Sequence, residues 1–373
     1  MTVTRTRLRV TLLSAGVVGA VIALLLEPSA FGDAAAHTWS PFALVAGLLL
    51  IGAVANQDGI FAAASRALGR LPAGDLALYL ASMLLVAVVT VFLNLDTSVA
   101  FLTPVLVLVA RSRGADVPRF LYGCVFMSNA ASLLLPGSNL TNLLILSNQH
   151  QTGSAFLAQM AAPWVAAVLV TVVVVAVAFR GRGGSPIASG IESQRQSALS
   201  LGAVLVAAVL ILVLANPALP VLGIGLLLAA LRVSQRRVSL AHLGDIDVPS
   251  LAGVFLVALA LGTLARVWSF PGHVMAGAGD VASAAIGAAG AVLVNNLPAA
   301  VLLGSRMPAD PRSLLLGLNI GPNLAVTGSL SALIWWSAAR SVGAKPSALR
   351  YSAVGVVLVP LTLAAGLAAG RLF

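Results

Sequence analysis

Polar residues interrupt the apolar text of this chain at four places, and the places form two matching pairs. The first pair is Asn94-Leu95-Asp96-Thr97-Ser98 and Gly137-Ser138-Asn139-Leu140-Thr141-Asn142. The second is Asn295-Asn296, followed by Asn323 and Thr327-Gly328-Ser329-Leu330-Ser331. Asn94 and Asn295 lie 201 residues apart, and Gly137 and Gly328 lie 191 apart. The surrounding apolar runs reach the ~17–25 residues that cross hydrocarbon. Inside a bilayer the backbone must bond to itself, so irregular stretches survive only where protein covers them or water reaches them. Corresponding breaks in two halves are the sequence mark of a transporter binding site.

Of 373 residues, 60% are hydrophobic and 9% charged. That excludes a large soluble domain and gives an all-α polytopic membrane protein, one transmembrane transporter domain over 1–373. The net charge of +10 comes from basic residues scattered in twos and threes, which excludes a nucleic-acid surface. Retention of Arg on cytoplasmic loops explains the excess. Arg180, Arg182 and Arg195, and the pair Arg236-Arg237, read as such anchors. One cysteine, Cys124, and four dispersed histidines offer no disulfide, no metal site and no cofactor. Trp268, Trp335 and Trp336 are expected at the water interface. Arg5, Arg7 and Arg9 precede the first apolar run, which reads as a retained helix rather than a signal peptide.

Apolar segments fall at about 8–26, 41–64, 75–110, 118–147, 160–179, 199–215, 217–231, 249–267, 281–305, 313–336 and 350–371. Segment 281–305 crosses once, or it is a re-entrant hairpin with its tip at Asn295-Asn296, matching a hairpin tipped at Asn94–Thr97. The hairpin reading leaves only Arg266, Arg306, Arg312 and Arg371 outside. The single span leaves Arg266, Arg340, Lys345 and Arg350 outside. The positive-inside rule gives a cytoplasmic N-terminus both ways and does not choose. Symmetry favours the hairpin. Residues 8–179 then form one repeat, 180–216 a cytoplasmic loop and linker span, and 217–373 an inverted second repeat, a transporter plan with two re-entrant hairpins and two broken helices.

A broken helix presents free N–H groups at one half and free C=O groups at the other. The former attract anions and the latter cations. Ser, Thr and Asn add donors and acceptors. Gly137, Gly321 and Gly328 are expected to permit turns, and Pro104, Pro136, Pro298 and Pro322 to end helices. Asp96 is the only carboxylate deep in an apolar stretch, where a charge costs ~2.5–3.5 kcal/mol. It is read as a proton carrier or cation ligand, with an N-cap for the following helix as the alternative and both roles open to one residue. The binding set on this reading is Asn94, Asp96, Thr97, Ser98, Gly137, Ser138, Asn139, Thr141, Asn142, Asn295, Asn296, Asn323, Thr327, Gly328 and Ser329.

At these breaks the chain resembles a family. The runs FLNLDTSVAFLTP (92–104), SNAASLLLPGSNLTN (128–142), NNLPAAVLLG (295–304) and NIGPNLAVTGSLSALIW (319–335) look like the arsenite permeases of bacterial arsenical resistance, within the ion transporter superfamily. The resemblance implies the hairpin topology and a bacterial plasma-membrane carrier. It implies a secondary transporter exporting arsenite or antimonite, or a similar small inorganic solute, by proton antiport through Asp96. It also leaves open a soluble ATPase partner and a homodimer. The alternatives are a sodium/proton antiporter or a sodium-coupled anion carrier of dicarboxylate type, and, from another class, a non-transporting scaffold or enzyme.

Overall fold

Helices stop where the polar clusters stand, and the cap residues explain why. The computed structural model describes residues 2–72, 74–147, 151–181, 198–235, 248–304 and 310–372, with side chains from Val10 onward. Arg182, Arg195, Arg236 and Arg237 lie outside the described residues. Asn94, Asn139, Asn295 and Ser329 each accept a hydrogen bond from a backbone N–H of the helix that follows. These bonds satisfy donors that a helix start leaves without partners.

The chain begins with α1 (Thr2–Leu26) and α2 (Pro28–Gln57). Proline suits a first helical turn, so α2 starts well before the expected 41. Gly59, at φ 77°, turns the chain left-handed, which splits the expected segment 41–64. The short helix α3 (Ile60–Arg70) follows, burying Phe61 and Leu68. Next come α4 (Asp75–Phe92), α5 (Leu95–Ser112), α6 (Val117–Ala131), α7 (Leu140–Leu146) and α8 (Gly153–Ala178). The helix α9 (Ala198–Val213) follows, in the stretch read from sequence as the linker span. The second half contains α10 (Ala218–Ser234), α11 (Val248–Val267), the short α12 (Phe270–Ala276), α13 (Asp280–Val294) and α14 (Asn296–Leu303). It ends with α15 (Pro311–Ile320), α16 (Leu330–Ser341) and α17 (Ala348–Leu372).

Hydrogen bonds between helix ends fix the topology. Arg113, just past α5, donates to the carbonyls of Gly69 and Leu71, just before α4. The two arms therefore return to one face, and α4 and α5 form the first hairpin. Among the described residues six helices are long and apolar enough to cross a membrane, yet two of them are these returning arms. Tyr122 near the start of α6 bonds Ser347 before α17, which places both starts on that first face. At its other end α17 holds Asp280, the start of α13, through Arg371 at 3.1 Å. The arms α13 and α14 fold back on each other: a Cβ on Gly290 would stand 3.1 Å from Ala299. The second hairpin thus enters from the opposite face. Its elements repeat the first half in inverted orientation, with α6–α7 and α15–α16 as the two broken helices.

Close approach is the work of the glycines at the breaks. A Cβ on Gly321 would lie 2.5 Å from Ala288 Cα, and one on Gly328 2.8 Å from Pro322 Cα. Positive φ at glycine occurs instead at Gly59, Gly114 and Gly343 among the described residues. Pro104 sits inside α5 without ending it, because neighbouring helices re-satisfy the freed backbone. Trp335 corrects an expectation too. It is fully buried, donating to the Leu121 carbonyl at 2.8 Å and packing against Tyr122 and Tyr351. Trp268 is exposed at the end of α11. Near the first face, Asp58 after α2 is buried and joined to Arg232 of α10 at 3.0 Å and to Ser200 of α9.

Candidate functional site

The two hairpin tips and the two helix breaks converge on one cavity of about 450 Å³. The first tip contributes Asp96 and Thr97. The first break contributes Asn139 and Thr141. The second tip contributes Asn295 and Asn296, and the start of α16 contributes Ser331. The cavity is therefore bordered by the first turns of α5, α7, α14 and α16. Each helix start carries roughly half a positive charge. Among the described lining residues Asp96 is the one ionisable side chain, and no Lys, Arg or His is present.

The cavity is not centred between the faces. Asn56 and Gln57 from the last turn of α2, Ser250 and Leu251 from the first turn of α11, and Ser337 of α16 line it. These positions all stand toward the first face, so the cavity extends that way. On the other side Phe42, Leu144 and Ala258 form an apolar cluster joined by Leu140, Leu297 and Val301. Phe42 and Phe255 meet edge to face at 5.1 Å. Gly52 lets the first tip approach α2, since a Cβ there would be 2.7 Å from the Thr97 methyl.

The tips are held in different ways. Asn94 accepts from the Thr97 amide at 2.7 Å, and Ser98 meets Ser128 at 3.2 Å. Asp96 Oδ1 accepts from Ser331 Oγ across 235 residues of sequence. Asn295 Nδ2 donates to the Thr327 carbonyl at 3.1 Å. Its backbone, at φ 78° and ψ 147°, is the one non-glycine with positive φ among the described residues. Such a conformation costs about 1–3 kcal/mol and persists where surrounding structure imposes it.

Of the residues expected from sequence, Asp96, Thr97, Asn139, Thr141, Asn295 and Asn296 line the cavity. The others build its walls. Asn94 and Ser329 cap helices, and Ser98 ties the first tip to α6. Ser138 donates within its own turn. Asn142 bonds the Ser132 carbonyl at 2.8 Å. Gly137 faces Ile211 and Leu48, Gly328 abuts Pro322, Thr327 lends its carbonyl, and Asn323 accepts from Asn129 at 2.6 Å.

Asn129, Asn319, Ser132 and Ser331 were not in the binding set read from sequence, although Ser331 closes the last polar break. Asn319 is the hub of the crossing. Its Oδ1 accepts from Asn139 Nδ2 at 2.6 Å and Ser132 Oγ at 2.8 Å, while its Nδ2 donates to Asn142 at 2.8 Å. The signal was present: Asn129 and Asn319 each stand ten residues before a cap, Asn139 and Ser329. Each reaches across to the other broken helix.

Comparison with known proteins meets this geometry. No curated protein matches the chain. Among solved structures, the crystal structure of the Alcanivorax borkumensis YdaH transporter, described as revealing an unusual topology, is similar. The TM-score is 0.61 at 14% identity, over 99% of this chain and 97% of that one. At that identity the likeness speaks for the fold alone. The family described as CitMHS, citrate transporter, matches residues 2–339. The matching family is thus the citrate transporters rather than the arsenite permeases whose motifs the sequence resembles. A multi-pass helical bundle with paired hairpins and breaks around one cavity is a membrane transporter and not an enzyme, and this chain belongs to the CitMHS citrate transporter family.

Proposed function

We propose that the protein is a secondary transporter of a small carboxylate of the citrate class, with Asp96 as the group that couples its movement to a proton or sodium ion. The observation that carries this reading is the convergence of four helix starts on a cavity free of basic side chains among its described lining. Helix N-termini attract carboxylates through backbone N–H groups and their summed dipole. A neutral arsenite trihydroxide gains little from such a field, so the geometry favours an organic anion. Asp96 balances that field when the anion is absent and must be neutralised when the anion enters, because like charges repel strongly where low-dielectric protein surrounds them.

Residues 8–179 and 217–373 are read as the two inverted repeats, joined through 180–216. Near the first face stand Arg66, Arg70, Arg111, Arg113, Arg119, Arg180, Arg232, Arg340, Lys345 and Arg350. Near the second stand Arg266, Arg312 and Arg371. The positive-inside rule makes the first face cytoplasmic. The N-terminus is then cytoplasmic and the cavity opens inward.

The test is citrate flux in proteoliposomes under an imposed pH or sodium gradient. Wild type accumulates citrate against its gradient, and the Asp96→Asn variant loses accumulation while keeping at most exchange. Movement of arsenite without movement of citrate would return the protein to the arsenite reading.

A further inference from the structure

We propose that Ser331 is a positioning residue for the coupling carboxylate, an inference that rests on the role of Asp96 proposed above. Ser331 stands in the first turn of α16, and its hydroxyl donates to Asp96 Oδ1 on the tip of the first hairpin. The bond joins the two halves of the molecule at the cavity wall. It holds one carboxylate oxygen, Oδ1, at the cavity that both residues line.

The pairing exists in one repeat only. Asp96 follows the cap Asn94 by two residues, and Ser331 follows the cap Ser329 by two. Their repeat counterparts, two residues after Asn295 and Asn139, are Leu297 and Thr141. Both line the cavity, but Leu297 offers no group for Thr141 to hold. A hydroxyl at the start of each second half-helix is thus common to both repeats. Only at Ser331 does it meet a carboxylate.

Among the described residues no other ionisable group shares the cavity. On the helices packed against α5 the ionisable groups are Asp33, His37 and Asp58 of α2, Arg66 and Arg70 of α3, and Asp75 and Tyr79 of α4. Those of α6 and α16 are Arg119, Tyr122, Cys124 and Arg340. None lines it. Behind the tip Ser98 meets Ser128, which donates to the Cys124 backbone carbonyl, while the Cys124 thiol meets Thr103. Ser331 is therefore the one side-chain donor in contact with Asp96 among the described residues.

A hydrogen bond donated to a carboxylate favours its ionised form. Loss of the hydroxyl should make Asp96 hold its proton to higher pH. Two readouts test this: the pH profile of citrate uptake in proteoliposomes, and the thermal midpoint of the purified protein as a function of pH, which needs no substrate. Ser331→Ala is expected to move both profiles to higher pH by at least ~0.5 unit, about a threefold change in proton affinity. Ser331→Thr, which keeps the hydroxyl, should restore the wild-type profile. In Asp96→Asn the Ser331→Ala substitution should move neither. If wild type moves no citrate, the proposed function fails, and the thermal profile still decides the inference. A Ser331→Ala thermal profile superimposed on wild type would overturn it, as would an equal displacement in the Asp96→Asn background. Should Ser331→Ala not fold, Ser331→Cys gives the same comparison with a weaker donor, and a wild-type profile there has the same adverse meaning.

Discussion

Asn319 shows how much of the site depends on single amides. It serves Ser132, Asn139 and Asn142 at once, all fully or nearly fully buried. Asn319→Ala removes the shared partner and leaves several buried polar groups unsatisfied, each worth ~1–3 kcal/mol. The thermal midpoint in detergent should fall sharply, and transport with it. Asn295 predicts the reverse sign. Glycine relieves its positive φ, so Asn295→Gly should stabilise the protein by ~1 kcal/mol while weakening transport through loss of the bond to Thr327. A calorimetric scan beside an uptake assay separates the two effects. At this scale the sequence was legible where polarity was anomalous. Asp96, Asn139 and Asn295 stood out because their surroundings are apolar. Asn129 and Ser331 stayed outside the binding set, because polar neighbours within the same clusters hid which atoms would meet. Contacts spanning about half the chain have no local signature.

Between elements, packing of the second hairpin against its broken helix depends on small residues. A Cβ on Gly317 would stand 2.1 Å from the Ala284 carbonyl oxygen, and one on Gly287 2.8 Å from that of Leu314. The helices α13 and α15 therefore touch backbone to backbone, as small residues allow in membranes. Gly317→Val must push them apart. Loss of folded protein on size-exclusion chromatography is expected, whereas Gly202→Val in α9, with open space around the position, should be tolerated. The sequence disclosed the long helices and all four breaks, since apolar length and Asn/Gly/Pro clusters are local properties. It did not disclose α3, whose amphipathic run overlaps the apolar segment ending near 64, or α12, seven residues long and lying between two expected segments. The start of α2 at Pro28 was missed likewise, because Ser29 to Ser40 is only weakly apolar. The burial of Trp335 was set by Leu121, Tyr122 and Tyr351, none of them close in sequence.

For the whole molecule, α9, if it is the single span joining two inverted halves as proposed above, sets the parity of the fold. The inverted halves contribute equal numbers of crossings, and the linker adds one. The two termini should therefore lie on opposite sides of the membrane. Reporter fusions at each end check this: activity of a cytoplasmic reporter at both ends is incompatible with the hairpin topology. The arrangement was legible as symmetry before any contact was known, but the off-centre cavity was not. The depth of a tip depends on how one group of helices sits against another, and no run of residues encodes that alone.

Gly52 carries a further consequence. It is the notch on α2 that receives Thr97. Its counterpart on α11 is Gly262, since each glycine stands eight residues before a short helix, Ile60 in one case and Phe270 in the other. Gly262 now faces Ala34 and Val301, while Leu297 of the second tip shares an apolar cluster with Val254, eight residues up the helix. If both notches serve alike, Pro298, the repeat partner of Thr97, docks at Gly262 when the cavity opens to the other side. Eight helical residues make a stroke of ~12 Å. A Gly262→Cys and Pro298→Cys pair measures that stroke as a ruler would, by crosslinking only in the state that opens to the second face.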